Sequence, residues 1–278
     1  MGNENNGMEN SEIFEIEKGK AGDTSPEEQD GKKNTGDKEK KGGLKAEIIS
    51  WIQVIVAAVV IAFVLNNFVI ANSKVPTGSM ETTIMSGDRV IGSRLSYTFG
   101  APERGDIAIF KFGWICENCK KAMGESPAPE VCPFCGEEIK KPDTLYYVKR
   151  VIGVPGDVVE IRREGKVNIS DISENPSLPA PDENGEYDGA SVYVNGEKLT
   201  EDYLKEPMLY FVGDNNRALY ETEDGVCRFE VPEGCYFMMG DNRNNSQDAR
   251  FWNNPFISED KIIAKVMLRY FPNPGLLD

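Results

Sequence analysis

Hydrophobic residues are arranged in two ways along the chain, and each arrangement predicts a different kind of element. A continuous apolar run from Ile48 to Ala71 contains no charged residue. As a helix the run would reach about 36 Å, and a bilayer core is about 30 Å thick. It is longer, and begins later, than the roughly 7- to 15-residue apolar region of a cleaved signal peptide. We therefore expect residues 47–71 to form a permanent transmembrane anchor rather than a buried core helix or a cleaved signal.

The chain beyond residue 71 carries short β-branched and aromatic runs separated by Gly, Pro, Asn and Asp. The runs lie at residues 89–92, 106–110, 146–152, 191–194, 236–239 and 262–268. Because no long segment has a helical period, residues 72–278 are expected to form one mainly β domain, an antiparallel sheet or partly open barrel. Two segments are interpreted as insertions: residues 111–143, which contain four cysteines, and a variable segment near 168–189, rich in Pro, Asp, Asn and Gly.

Residues 1–46 are polar and charged, with almost no aliphatic side chains. Such a composition cannot bury enough apolar area to offset chain entropy, so it predicts a disordered tail. The last part of the tail, from Lys32 to Lys45, is basic. The positive-inside rule then places the N-terminus in the cytoplasm and the β domain on the far side of the cell membrane.

The overall composition limits the partners, catalytic groups and metal sites that are open to this chain. The chain has 31 Lys and Arg against 46 Asp and Glu, a formal net charge of −15, which argues against nucleic acid as a partner. It contains no histidine, so a Ser-His-Asp triad is excluded and a zinc site would need cysteine, with or without carboxylate ligands. A hydrolase built on this chain would need a lysine or a carboxylate as its base.

A serine and a lysine offer that chemistry. Ser79 lies in the Pro- and Gly-containing segment 73–81, directly after the anchor, and a serine hydroxyl needs a base to become nucleophilic. Lys149 is flanked by apolar residues in the strand pattern 146–152. Burial among apolar side chains disfavours the ammonium form, which makes the amine usable as a base. Taken singly, the two residues are more typical of a turn serine and a solvent-exposed strand lysine than of a catalytic pair.

The pairing of Ser79 with Lys149 is supported by four segments of the sequence taken together. Residues 75–80 (VPTGSM), 104–107 (RGDI), 149–157 (KRVIGVPGD) and 240–250 (GDNRNNSQDAR) closely resemble the ordered sequence boxes of the type I signal peptidases. Their order and the anchor before them match as well. Two departures are Thr82-Thr83, where many members have Pro-Thr, and Ala249, where many have Ser. The resemblance implies a membrane-bound serine endopeptidase that removes signal peptides from exported preproteins after small residues, at sites of the Ala-x-Ala type.

The resemblance also implies a role for each matching residue. Ser79 would be the nucleophile and Lys149 the general base, in a Ser-Lys dyad that needs no cofactor. The Ser79 amide and the Thr77 hydroxyl would form the oxyanion hole. The last box would supply the supporting residues: Ser246 to orient the lysine amine, and Asp241, Asp248 and Arg250 to brace the site. The resemblance does not name the walls of the substrate pocket, for which Met80 and the strand residues 107–109 are our own candidates.

The cysteines of the first insertion suggest a metal. Cys116 and Cys119 form one CxxC pair and Cys132 and Cys135 a second, the spacing of a zinc ribbon that presents four thiolates to one ion. Disulfides are the alternative, because an exported domain meets oxidising conditions. We expect a structural zinc that stiffens the hairpin carrying Lys149.

The expected partners are preprotein signal peptides, the lipid bilayer and, as a further candidate, the secretion translocon. Two other functions are compatible with parts of the pattern. One is a Ser-Lys autoprotease of the repressor type, although such proteins are cytosolic and the anchor argues against it. The other is an inactive membrane-anchored binding or assembly protein that uses the zinc ribbon, against which the intact Ser79 and Lys149 argue.

Overall fold

The computed structural model describes residues 43–124, 129–140, 142–176 and 178–277. The expected tail therefore lies outside the described residues up to position 42. Helix α1 spans Gly43–Val64 and continues as a π-helical turn, Leu65–Val69, so the helix begins before the predicted boundary at residue 47. The segment Glu47–Val69 is long and apolar enough to cross a membrane, and none of its most apolar part is buried inside the protein.

The rest of the described chain is mainly strand, as predicted, with two short helices, α2 (Leu95–Phe99) and α3 (Asp214–Tyr220). The strands are β1 Ile70–Lys74, β2 Arg89–Ser93, β3 Ile107–Ile115, β4 Ala122–Met123, β5 Asp143–Gly153, β6 Val158–Asn168, β7 Glu186–Val194, β8 Glu197–Lys198, β9 Cys227–Glu230, β10 Cys235–Met239, β11 Phe256–Ser258, β12 Ile262–Phe271 and β13 Gly275–Leu276.

The strands form two antiparallel sheets. The larger has the order β1-β2-β12-β3-β5-β10-β11, with β4 on β3 and β13 on β12, and the smaller has the order β8-β7-β6-β9. Neither path closes on itself within the described residues. The strands reach further into both insertions than the sequence pattern predicted: β3 ends at Ile115, and β7 begins at Glu186. The cysteine insertion is therefore the tip of the long β3–β5 hairpin.

The hydrophobic core lies in two main clusters. The larger joins the two sheets and includes Phe110, Val151, Ile161, Phe229 and Phe237, all at most 1% exposed. The sheets approach closely where β5 ends, since a Cβ on Gly153 would lie 2.6 Å from a methyl of Val159. The second cluster lies under β1, β2 and the turns that follow β1. It fixes the segment that contains Ser79 on the face of the larger sheet.

Candidate active site

Strand β5 places Lys149 in the middle of the larger sheet. The strand pairs with β3 on one side and β10 on the other, and Lys149 lies opposite Ala108. Its neighbours Val148 and Val151 are buried apolar residues, and Lys149 itself is 1% exposed. The amine also lies 5.3 Å from the ring centroid of Tyr147. The lysine is therefore held in the dry environment that the sequence pattern predicted.

Ser79 is held by the turn that follows β1. Met80 anchors this turn, because its side chain is fully buried in the second core cluster, and truncating such a side chain to alanine costs about 2–5 kcal/mol. The last box binds the turn from the other side: the Asn242 amide donates to Ser79 O at 3.0 Å, and Asn242 Nδ2 donates to Gly78 O at 3.1 Å. Both backbone bonds fix the orientation of Ser79.

The two side chains meet directly. Lys149 Nζ lies 2.6 Å from Ser79 Oγ in a hydrogen bond between buried groups, although the residues are far apart in sequence. Thr77 Oγ1 lies 3.5 Å from Ser79 Oγ, so a second hydroxyl lies beside the pair. An amine, a hydroxyl nucleophile and a neighbouring donor are the parts that base-assisted attack on a carbonyl requires.

Asp248 and Arg250 form a buried pair behind this site. Arg250 Nε donates to Asp248 Oδ1 and Arg250 Nη2 to Asp248 Oδ2, both at 2.8 Å, and both side chains are fully buried. Burial alone would raise the pKa of the Asp248 carboxyl, but the charge and hydrogen bonds of Arg250 hold that pKa below its usual range. Asp248 Oδ2 also accepts from the Gly240 amide at 3.1 Å, which ties the pair to the start of the box.

Asp241 has a partner that sequence reasoning missed. Arg150 donates from Nε to Asp241 Oδ1 at 2.9 Å and from Nη2 to Asp241 Oδ2 at 2.8 Å. Thr83 Oγ1 donates to the same carboxylate at 2.5 Å, although Thr83 lies where the sequence departs from the family pattern. The only sequence signal for Arg150 was its position beside Lys149 in a strand of apolar residues.

The predicted hydrogen bond between Ser246 and Lys149 does not form in this structure. Ser246 Oγ is buried and has no hydrogen-bond partner among the described residues, while Lys149 Nζ donates to Ser79 Oγ. Ser246 nevertheless lies close to the segment that contains Ser79: a Cβ built on Gly240 would lie 2.3 Å from Ser246 Oγ and 2.5 Å from Ser79 O. The structure thus brings Ser246 to the site without the bond.

A narrow groove opens beside the pair. Its walls are Val75, Pro76, Thr77, Tyr146, Tyr147 and Val148, and it ends at Ser79 and Lys149. The walls expected from sequence lie elsewhere: Met80, Ile107 and Ile109 are at most 1% exposed and belong to the core. From residue 107 to residue 110, β3 is buried on both of its faces, and the sequence pattern alone does not distinguish a core face from a groove face.

The four cysteines of the insertion converge at the tip of the β3–β5 hairpin. Their sulfur atoms all lie within 4.8 Å of one another, with Cys116 Sγ 3.9 Å from Cys135 Sγ and Cys119 Sγ 3.8 Å from Cys132 Sγ. All four are free thiols, as are Cys227 and Cys235.

The two CxxC turns have the same backbone pattern. The Lys120 amide donates to Cys116 O at 2.9 Å, and the Gly136 amide donates to Cys132 O at 2.8 Å. Both donors have positive φ, 59° and 74°, a conformation that glycine adopts readily and lysine rarely. Burial opposes ionisation of Cys132, but the Cys135 and Phe134 amides and neighbouring thiols lower its pKa to about 7. This thiol can therefore ionise near neutral pH, as a thiolate ligand must.

The chain is similar to several known proteins. The family model described as "Signal peptidase, peptidase S26" matches residues 48–184 and 178–271. "Signal peptidase IB" of Staphylococcus aureus strain COL is 29% identical over 233 residues, covering 82% of this chain and 92% of that protein. "Probable signal peptidase I-2" of Synechocystis sp. is 28% identical over 233 residues, covering 82% and 78%. A solved signal peptidase I from Enterococcus faecalis V583 matches 59% of this chain and 95% of its own, with 22% identity and a TM-score of 0.27.

Proposed function

Because the family model covers most of the chain, the protein belongs to the peptidase S26 family of signal peptidases, and we propose that Ser79 and Lys149 perform its peptide-bond hydrolysis as a dyad. The observation that carries this proposal is the 2.6 Å hydrogen bond between Lys149 Nζ and Ser79 Oγ. Both residues are nearly inaccessible, at 1% and 3% exposure. In its neutral form, an amine placed at this distance can accept the serine proton along the contact.

The reaction then follows from the geometry. Ser79 Oγ attacks the scissile carbonyl carbon as its proton moves to Lys149 Nζ, and the resulting ammonium protonates the leaving amine. Water attacks the acyl-enzyme with the same lysine as base, which restores Ser79. The Thr77 hydroxyl, 3.5 Å from Ser79 Oγ, and the Ser79 amide would donate to the developing oxyanion. One such donor is worth about 3 kcal/mol of barrier.

The substrate would be the signal peptide of an exported preprotein, cut after a small residue. The narrow groove that ends at Ser79 and Lys149 supports this specificity, since its apolar and aromatic walls leave little room for a large side chain. The two Asp–Arg pairs would keep the last box in place under the nucleophile turn. Ser246, buried beside Gly240, would be available to orient the lysine amine when that amine turns away from Ser79.

The membrane position supports the same substrate. The candidate span ends at Val69 and β1 begins at Ile70, so the nucleophile turn follows the anchor after one short strand. With the basic tail in the cytoplasm, the site would face outward, close to the bilayer surface where a preprotein leaves the secretion translocon. The orientation is tested with a membrane-impermeant thiol reagent on a chain whose six native cysteines are replaced by serine, with one cysteine added in the tail or in β13. Outside labelling in β13 alone is the expected result.

The cysteine cluster would hold one structural zinc through Cys116, Cys119, Cys132 and Cys135. A tetrahedral ion with zinc–sulfur distances of about 2.3 Å separates its ligands by about 3.8 Å. The two measured sulfur pairs, at 3.9 Å and 3.8 Å, support that geometry, and a disulfide would need a sulfur separation of about 2.05 Å. The ion would close the tip of the hairpin whose second strand carries Lys149.

Metal analysis of the purified full chain tests the zinc proposal. One zinc per chain is expected, with loss of the metal in Cys132→Ser. Cys227→Ser is the matched control, because Cys227 is a buried thiol that contacts Tyr210 instead. A wild-type chain without zinc, or with disulfides in place of free thiols in the insertion, would reject the site.

Cleavage of a preprotein with an Ala-x-Ala site tests the dyad. The full chain in detergent is compared with Ser79→Ala and with Ser258→Ala, a control serine that bonds to Asp260 away from the groove. Activity is expected to disappear in the first variant and persist in the second. Equal cleavage by the wild type and Ser79→Ala would reject the proposed nucleophile and favour an inactive binding protein.

A further inference from the structure

Residues 201–209, which we call the strap, connect β8 to the segment before α3 and lie against the catalytic region. The strap fell outside the sequence boxes, and its residues carry no pattern that suggests a site. Its side chains nevertheless contact the nucleophile turn, the arginine beside the general base, and the last box.

The first contact is with the nucleophile turn. Lys205 Nζ lies 3.1 Å from Glu81 Oε2, and the two side chains are 30% and 21% exposed. Glu81 follows Ser79 by two positions and its amide donates to Gly78 O at 3.1 Å. The Glu81 carboxylate also packs on the turn itself, since a Cβ on Gly78 would lie 2.6 Å from Glu81 Oε1. Lys205 therefore holds a carboxylate that covers the residue before the nucleophile.

The second contact is with the strand of the general base. The Tyr203 ring lies 4.1 Å from the guanidinium carbon of Arg150, the residue next to Lys149. Tyr203 Oη donates to Glu201 Oε1 at 2.9 Å, and Glu201 forms a buried ion pair with Arg243 of the last box. The ring is thus fixed at its hydroxyl end while its face covers Arg150.

Asn244 of the last box holds the strap in place for these two contacts. Asn244 Nδ2 donates to Glu206 Oε1 at 2.8 Å and to Pro207 O at 3.0 Å, and Asn244 Oδ1 accepts from the Leu209 amide at 2.9 Å. Asn244 belongs to the same box as Asn242, which binds Ser79 O. The last box therefore holds the nucleophile turn in two ways. Asn242 binds the turn directly, and Asn244 binds the strap that contacts the turn from its other side.

We propose that Lys205 and Tyr203 are positioning residues of the Ser79–Lys149 site. Lys205 fixes the nucleophile turn through Glu81, and Tyr203 fixes the β5 backbone at Lys149 through Arg150. Neither touches the reacting atoms. The inference rests on the proposed dyad. In it, the strap fixes the position of the nucleophile relative to the base, and the rate of the first proton transfer depends on that position.

Steady-state cleavage by the full chain in detergent tests the Lys205 contact. Lys205→Met and Glu81→Gln are each expected to lower kcat about fivefold while KM stays within about twofold. The double variant should be no slower than either single variant, because both remove the same contact. The exchanged pair Glu81→Lys with Lys205→Glu should recover most of kcat. Lys198→Met is the matched control, since it removes an exposed ion pair with Glu164 and should leave kcat unchanged.

The Tyr203 contact is tested by two substitutions with different consequences. Tyr203→Phe keeps the ring over Arg150 and should retain most of kcat, whereas Tyr203→Ala should lose about tenfold, since a small displacement of the reacting groups is costly. Melting temperatures are measured in parallel. If Tyr203→Ala melts earlier than the wild type but keeps its kcat, the role of the ring is purely structural and the proposal is overturned.

The outcomes also separate this inference from the proposed function. Cleavage that persists in Ser79→Ala would reject the dyad and the strap role with it. Cleavage that depends on Ser79 but is unchanged in kcat by Lys205→Met and Tyr203→Ala would reject the strap role alone. A change confined to KM would assign Lys205 to substrate binding and would equally overturn the positioning role.

Discussion

Substituting Asp241 by asparagine tests how the buried charges hold the site together. The Arg150 and Asp241 side chains are 5% and 0% exposed and share two hydrogen bonds, at 2.9 Å and 2.8 Å. Asparagine keeps the shape of the carboxyl group but removes its charge, and its NH2 group would face a donor of Arg150. Breaking a buried pair by removing one partner costs about 3–5 kcal/mol, because the remaining charge has no compensation.

This free energy converts to a measurable shift. A domain of this size loses about 2–4 °C of melting temperature per kcal/mol, so Asp241→Asn should melt about 6–20 °C below the wild type. Thermal unfolding of the full chain in detergent, followed by circular dichroism of its strand signal, measures the shift. Glu164→Gln is the control, because its pair with Lys198 is exposed on both sides and surface pairs contribute little.

A double variant makes the test sharper. Arg150→Met with Asp241→Leu replaces the pair by apolar side chains, and such replacements of buried pairs are often neutral in stability. The double variant should therefore melt closer to the wild type than Asp241→Asn does. If Asp241→Asn melts as close to the wild type as Glu164→Gln, or if the double variant is the less stable of the two, the argument from buried charge is refuted.

Three further predictions follow from the same region. Lys149→Arg should abolish cleavage with the fold retained in circular dichroism, because a guanidinium stays protonated and cannot serve as the base; activity at the wild-type level would refute the assigned base. Gly240→Ala should lower kcat at least about 100-fold, since its Cβ would collide with Ser79 O at 2.5 Å, while Gly275→Ala, with open space around it, should match the wild type. The stabilisation from Asp248, whose pKa is lowered by Arg250 against the effect of burial, is present above the unfolded-state value of about 3.9 and is lost as pH falls through the lower folded-state pKa. The difference in melting temperature between the wild type and Asp248→Asn should therefore narrow on acidification below about pH 4.

The sequence predicted those features that a local pattern determines. The apolar run gave the candidate span, and the β-branched runs gave strands β2, β3, β5, β7, β10 and β12. The two CxxC spacings predicted the cysteine cluster, because a tight turn brings both sulfurs of each pair to one side. The resemblance predicted that Ser79 and Lys149 would meet. Strand ends were less accurate, as at β3, where pairing with β5 extends the strand beyond the apolar run.

The features that the sequence did not reveal depend on pairing between distant charged residues. A composition-based interpretation assigns Arg150, Arg243 and Glu201 to the solvent, since charged side chains are rarely buried without partners. Here each partner comes from another part of the fold, and the partners become neighbours only when β10 pairs with β5 and the last box turns back under Ser79. Burying these charges is favourable only if all the pairs form together. The ion pairs around the dyad should therefore be lost cooperatively. A substitution in the strap should then lower the activity of Ser79 more than the solvent exposure of the substituted residue suggests.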